Sequence, residues 1–140
     1  MKILAPVDGS KTSLKAIKQA CSLLAAAPQL SVTLMSVHDD IALKHARSIV
    51  GSKAVDSYLR ELSDKDLAGA RKLLDKAGVE HEVVIRTGHV AQEIVDQADQ
   101  GKFDLIVMGH KGRSALRDLL IGSVAQRVLA MAKTPVLLVK

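Results

Sequence analysis

Along the whole chain, short continuously apolar runs alternate with stretches of helical periodicity, and no other feature restricts the fold as strongly. Lys2-Ile3-Leu4-Ala5-Pro6-Val7 runs into Asp8-Gly9-Ser10, a buried strand ending in a turn. Leu14, Ile17, Cys21 and Leu24 follow at spacings of three and four, one face of a helix that Pro28 ends. Ser31–Val37 is apolar and β-branched, a second strand. Residues 39–53 mix polarities around Asp39-Asp40, His45 and Gly51 and read as a mobile connection with room for a short helical piece. Helical spacing returns from Ala54 to Ala77 through Val55, Leu59, Leu62, Leu67, Ala70, Leu73 and Leu74, with Gly78 as its stop. Glu80–Arg86 is a third strand. Ala91, Ile94, Val95 and Ala98 mark a short helix. Phe103–Met108 is a fourth strand closed by Gly109. A glycine-punctuated loop leads to a helix from Ser123 to Ala132 and a last strand, Pro135–Val139.

Strict alternation of apolar strands and helices predicts an α/β fold, a parallel sheet covered on both faces. Right-handed crossovers make it doubly wound. At 140 residues the chain is expected to form one domain, 1–140, with a core that needs neither disulfide nor metal. Aromatic side chains are nearly absent, with one Phe and one Tyr, so Val, Ile, Leu and Ala must fill that core. The same scarcity argues against single-stranded nucleic acid, which is gripped by aromatic stacking. Cys21 is the single cysteine and lies on an apolar helical stripe, which suits a reducing compartment and a buried structural thiol. An acid at position eight argues against a signal peptide. No run approaches the roughly 18 apolar residues of a membrane span. A cytoplasmic location is expected.

In sheets of this kind ligands bind beyond the C-terminal strand ends, where strand order reverses. Three such ends carry distinctive residues: Pro6-Val7-Asp8-Gly9-Ser10, Val37-His38-Asp39, and Met108-Gly109-His110-Lys111-Gly112-Arg113-Ser114. In the last, Gly109 and Gly112 are two residues apart, and Gly122-Ser123 opens a helix nine residues further on. Glycine permits left-handed backbone angles and close approach of main-chain N–H groups. A helix N-terminus adds unpaired N–H groups and a positive dipole end, and together these favour phosphate. Ser114 and Ser123 can donate hydrogen bonds. Lys111 and Arg113 can offset phosphate charge or stay in solvent. Neither the Walker A loop nor the dinucleotide Gly-x-Gly-x-x-Gly pattern is present. The net charge of +5 is uneven. Residues 1–38 hold four Lys/Arg against one Asp/Glu, residues 39–104 ten against thirteen, and residues 105–140 six against one. If the chain ends meet, they form either a surface for an anion or a plain solvated face.

The pattern Gly109-x2-Gly112-x9-Gly122-Ser123, within the longer text Gly109–Leu116 and Leu119–Leu129, resembles the ATP-binding signature of the universal stress proteins. Ile3–Ser10 is similar to the family's first strand and turn, and Ala132–Val139 to its ending. The resemblance covers essentially the whole chain. It implies a five-stranded parallel sheet of order 3-2-1-4-5 with helices on both faces, and an ATP ligand accompanied by Mg²⁺ or Mn²⁺. It places adenine by Pro6, Val7, Asp8 and Val37. It places ribose and phosphates by Met108, Gly109, Gly112, Arg113, Ser114, Gly122, Ser123 and Val124, with Lys111 counted at the site for its charge. It also implies a homodimer through the last strand, Val136, Leu137, Leu138 and Val139, whose unpaired backbone edge can pair with its twin.

No catalytic constellation is recognised. Asp8 can brace a turn, His38 and Asp39 begin a surface loop, and His110 reads as a loop residue. His45, His81 and His89 lack metal-ligand spacing. The expected role is therefore a nucleotide-binding regulator in the stress response, whose ATP occupancy changes what a dimer presents to a signalling partner. The alternatives are a slow ATP hydrolase or adenylyl-transferring enzyme, and a dimeric interaction module without ligand. Binding to nucleic acid ranks last, because no run of basic residues occurs.

Overall fold

The computed structural model describes residues 1–113 and 120–140, so Ser114 of the glycine loop lies outside the described residues. In chain order the elements are β1 (Lys2–Pro6), α1 (Lys11–Ala26), β2 (Ser31–His38), α2 (Asp40–Val50), α3 (Ser52–Lys76), β3 (His81–Thr87), α4 (Val90–Gln100), β4 (Leu105–Gly109), α5 (Ser123–Met131) and β5 (Val136–Val139). The five strands form one sheet of order β3-β2-β1-β4-β5, every pair parallel. This is the expected 3-2-1-4-5 order. β1 lies at the centre, with β2 on one side and β4 on the other, and the strand order reverses between β1 and β4.

Ile3–Pro6 of β1 and Leu105–Gly109 of β4 carry no polar side chain because both faces of these central strands are covered. Ile3, Ala5 and Val7 point to the face where Ala16, Ile17 and Leu24 of α1 and Leu67, Ala70 and Leu74 of α3 pack. Leu4, Met35, Ile106 and Met108 point to the opposite face, against Ala91, Ile94, Val95 and Ala98 of α4 and Ala125 and Val128 of α5. Phe103 is the one aromatic in these two layers and stands just before β4, beneath α4. Cys21 is half-buried on α1, against the α1–α3 layer, and burial pushes its thiol above the ordinary range. That is the behaviour of an inert packing thiol.

One expectation is sharpened. The short helical piece for which this connection had room is an eleven-residue helix, α2, Asp40–Val50. Asp39 caps it, its Oδ1 accepting from the Ile41 N–H at 2.9 Å. Asp40 and Lys44 pair along it at 3.0 Å, and Gly51, at φ +87°, breaks it from α3. The helix rests on α3 rather than on the sheet, tied to it by Arg47 and Asp56 at 2.9 Å. Its large apolar residues Ile41, Ile49 and Val50 stay exposed instead of facing the core, which is why the stretch does not read as a core helix.

Candidate functional site

The β1–α1 turn, the end of β2, the start of α4 and the glycine loop after β4 meet at the C-terminal edge of the sheet around a cavity of about 200 Å³. Its inner wall is apolar, made by Pro6, Val7, Met35 and Val37, with Val90 and Ile94 of α4 opposite. Its rim is polar and backbone-rich. Asp8, Ser10 and Ser13 come from the first turn and helix, and Met108, Gly109, Lys111 and Gly112 from the end of β4. Gly122, Ser123, Val124 and Ala125 bring in the first turn of α5.

Besides the start of α4, two helix N-termini meet at this rim, and they differ. The first turn of α1 is closed by its own cap: Ser10 Oγ accepts from the Ser13 N–H at 3.2 Å, and Ser13 Oγ donates to the Ser10 carbonyl at 2.9 Å. The first turn of α5 has Gly122 at its cap, no side-chain cap bond and no acid. Its leading N–H groups thus keep their donor capacity and the positive end of the dipole.

The three glycines of the loop serve close approach rather than left-handed geometry, since none of them has a positive φ. A Cβ on Gly109 would lie 2.8 Å from the Thr12 main chain, one on Gly112 would lie 2.5 Å from Asp8 Oδ2, and one on Gly122 would lie 2.9 Å from Lys111 Cα. Their lack of side chains lets the loop close on α1, on Asp8 and on itself. Thr12 Oγ1 donates to the Lys111 carbonyl, and the Gly122 N–H donates to the His110 carbonyl at 2.8 Å.

Asp8 is the staple of this assembly. Its Oδ1 accepts from the Ser10 N–H at 2.9 Å and its Oδ2 from the Arg113 N–H at 3.0 Å. Burial raises its pKa, but the Ser10 hydroxyl and N–H, the Arg113 N–H and the Ser13 hydroxyl together outweigh burial and hold the carboxyl below its ordinary value. Asp8 is thus a brace and a rim group at once. Arg113 does not join the cavity wall. Its guanidinium donates to the Asp8 carbonyl at 2.6 Å and to Asp66 Oδ1, on α3, at 2.9 Å.

Outside the cavity, His38 Nε2 lies 2.8 Å from Ser63 Oγ and 3.3 Å from Ser36 Oγ. Burial pushes its pKa down, Asp66 pulls it up and Arg113 lowers it further. His110 is turned away from the rim, its Nδ1–H donating to the Val139 carbonyl at 3.2 Å. Among the described residues no group of three or more His, Cys, Asp and Glu side chains is placed to hold a metal ion. No helix among them is long and apolar enough to cross a membrane.

Of the residues expected at the site, Pro6, Val7, Asp8, Val37, Met108, Gly109, Lys111, Gly112, Gly122, Ser123 and Val124 line this one cavity. Sequence reasoning did not assign to the site Met35, Val90, Ile94 and Ala125, which are spaced like any core residue, or the pair Ser10 and Ser13. The capping signal of Ser10 ahead of an apolar-periodic helix could have found the latter pair.

Comparison with known proteins agrees with this architecture. The profile of the universal stress protein family matches residues 1–140. Universal stress protein MJ0531 of Methanocaldococcus jannaschii is 35% identical, over 99% of this chain and 81% of its own. Universal stress protein YxiE of Bacillus subtilis is 30% identical, over 99% of this chain and 98% of its own. Among solved structures, M. jannaschii MJ0577 superposes with a TM-score of 0.86 at 29% identity, covering 99% of this chain and 94% of that one. A universal stress protein crystallised in complex with cAMP superposes with a TM-score of 0.69 at 26% identity, covering 100% and 96%.

Proposed function

Because the chain belongs to the universal stress protein family, we propose that it binds ATP in the cavity at the C-terminal edge of the sheet and acts as a nucleotide-dependent regulator in the stress response. The observation that carries this reading is the first turn of α5, uncapped, free of acids and set at the polar rim of a cavity whose inner wall is apolar. Such a turn attracts phosphate. The apolar wall of Pro6, Val7, Met35 and Val37 suits a flat base. At about 200 Å³ the cavity is smaller than the roughly 300–1,000 Å³ of a pocket that engulfs a whole drug-sized ligand. A base and sugar fit inside while the phosphates run along the open rim, over Gly109, Lys111, Gly112, Gly122, Ser123 and Val124. The solved relative that holds cAMP supports an adenine nucleotide as the ligand class.

Mg²⁺ or Mn²⁺ enters on the phosphates in this reading. Asp8 and the hydroxyl residues Ser10, Ser13 and Ser123 line the rim and are hard oxygen donors of the kind these cations take. Their chemistry therefore fits such an ion, which would neutralise phosphate charge. Binding rather than turnover is favoured because His110, the base candidate nearest the loop, is committed to the Val139 carbonyl. β5 is an edge strand, and pairing with its copy in a second chain gives the homodimer of this proposal. The edge makes the dimer's geometry depend on the same sheet that carries the cavity.

The test is to denature the purified protein, identify any nucleotide released, and titrate ATP into nucleotide-free protein while following the melting temperature. ATP at a hundred times its dissociation constant should add about 2.7 kcal/mol. A melting temperature that does not respond to saturating ATP would sink the proposal.

A further inference from the structure

Asp66 is a carboxylate that α3 turns inward, and it is 7% exposed. It packs on the β1–α1 turn, where a Cβ on Gly9 would lie 3.2 Å from its Oδ1. Among the described residues the structure gives it one ion-pair partner, Arg113 of the glycine loop, at 2.9 Å. The two ends of this pair differ, since the Arg113 side chain is 62% exposed and that of Asp66 only 9%. The wet end adds little by itself. The buried end matters, because a carboxylate stripped of its partner in the interior is strongly unfavourable. The guanidinium is therefore held at Asp66.

Arg113 makes three bonds from this position. Its side chain reaches Asp66 and the Asp8 carbonyl, while its main-chain N–H reaches Asp8 Oδ2. One residue thus ties the glycine loop to both α3 and the first turn, directly beside Gly112, which itself abuts the Asp8 carboxylate. Both side-chain bonds come from Nη2, whose two N–H groups are thereby spent on Asp66 and the Asp8 carbonyl, and this fixes where the guanidinium stands.

We infer that Asp66 is a positioning residue of the nucleotide site: through Arg113 it holds the glycine loop against Asp8, so that the loop's N–H groups are aligned before the phosphates arrive. The choice of ligand rests on the nucleotide reading above, whereas the clamp itself does not. Preorganisation of this kind strengthens binding by removing the ordering cost. By reciprocity, a bound nucleotide steadies α3.

The experiment compares Asp66→Asn, Asp66→Glu, Arg113→Gln and the Asp66→Asn/Arg113→Gln double variant with the parent protein. ATP affinity is measured by calorimetry, and amide hydrogen exchange of residues 109–113 is followed without ligand. Asp66→Asn and Arg113→Gln should each weaken ATP binding by on the order of tenfold, and the double variant no more than either single one. Asp66→Glu should recover most of the loss. Loop exchange should accelerate in both single variants before any nucleotide is added. Were Arg113 instead a phosphate clamp, Asp66→Asn would leave ATP binding unchanged or tighten it while Arg113→Gln weakened it, and the inference would be wrong. It is equally wrong if Asp66→Asn lowers the melting temperature with no change in ATP affinity. If the parent protein binds no ATP, the nucleotide reading fails separately, and loop exchange still decides the clamp: unchanged exchange in Asp66→Asn refutes it.

Discussion

Gly122→Ala probes the closure of the glycine loop with a single methyl group. The added Cβ would stand 2.9 Å from Lys111 Cα, 3.2 Å from Lys111 Cβ and 3.5 Å from the Gly112 nitrogen. Carbon atoms rest at about 3.5–4.0 Å, so the first two contacts are too short by several tenths of an ångström. The nearest atom is main chain, and the His110–Gly122 hydrogen bond of 2.8 Å ties the two sides together. Relief must therefore come from moving the loop, and overpacking of this sort costs about 1–3 kcal/mol. For a chain of this length 1 kcal/mol corresponds to about 4 °C. The ligand-free variant should melt about 4–12 °C below the parent. ATP is a separate measure. At a hundred times the parental dissociation constant, the parent gains about 2.7 kcal/mol, and a variant with tenfold weaker affinity gains only about 1.4 kcal/mol at the same concentration. Gly78→Ala is the control. Gly78 lies beyond α3 at φ +68°, with nothing within 4 Å of an added Cβ, so the change brings strain of about 1–2 kcal/mol without touching the cavity. Scanning calorimetry with and without ATP separates the two. Should Gly122→Ala keep the full ATP increment, the loop's closure has no part in holding phosphate and the reasoning is refuted.

Three further outcomes are expected. Val37→Trp should fill the apolar wall and weaken ATP binding more than tenfold by calorimetry, while the melting temperature moves by less than about 4 °C because Val37 is only half-buried. His38 has a folded pKa below its ordinary 6.5, so it contributes stability above that value that is lost as the pH falls through the depressed value. Melting temperatures of the parent should therefore drop between pH 7 and pH 5 by more than those of His38→Gln, and parallel curves would contradict this. The Pro135 carbonyl accepts from Ile106 of β4 and the Val139 carbonyl from His110 just beyond it, so the Val136 N–H points out of the sheet. Val136→Pro should then convert a dimer to monomer in sedimentation without loss of the fold, and a persisting dimer would exclude pairing through β5.

Most of the fold was legible because the strands at the sheet's centre are buried on both faces and are therefore largely apolar. Ile3–Val7 and Leu105–Met108 can be read only as such strands once helical stretches separate them. α2 was read only in part because its large apolar residues Ile41, Ile49 and Val50 stay exposed instead of facing the core, and the helix rests mainly on α3. Its Asp39 cap and Gly51 stop were visible, but the polarity between them outweighed both. At the site, the glycines were recognisable as a loop, yet the physical reason for them was not. The atoms that forbid a side chain at Gly109, Gly112 and Gly122 belong to Thr12, Asp8 and Lys111, and for the first two pairs that adjacency exists only after folding. Asp66 was the least accessible. It belongs to the inward stripe of α3 with Leu59, Ser63 and Ala70, where Ser63 and Asp66 interrupt the apolar series. That interruption is the one mark it leaves in the sequence, and nothing local says that its partner is 47 residues away.

The aliphatic core has an optical consequence. With no tryptophan, one tyrosine exposed on α3 and one phenylalanine beneath α4, the protein absorbs very little near 280 nm and has almost no intrinsic fluorescence. An adenine ring carried in the cavity would dominate the ultraviolet spectrum of the purified chain. A peak near 260 nm that travels with the protein on gel filtration, and leaves it on denaturation, would report occupancy from a cuvette alone.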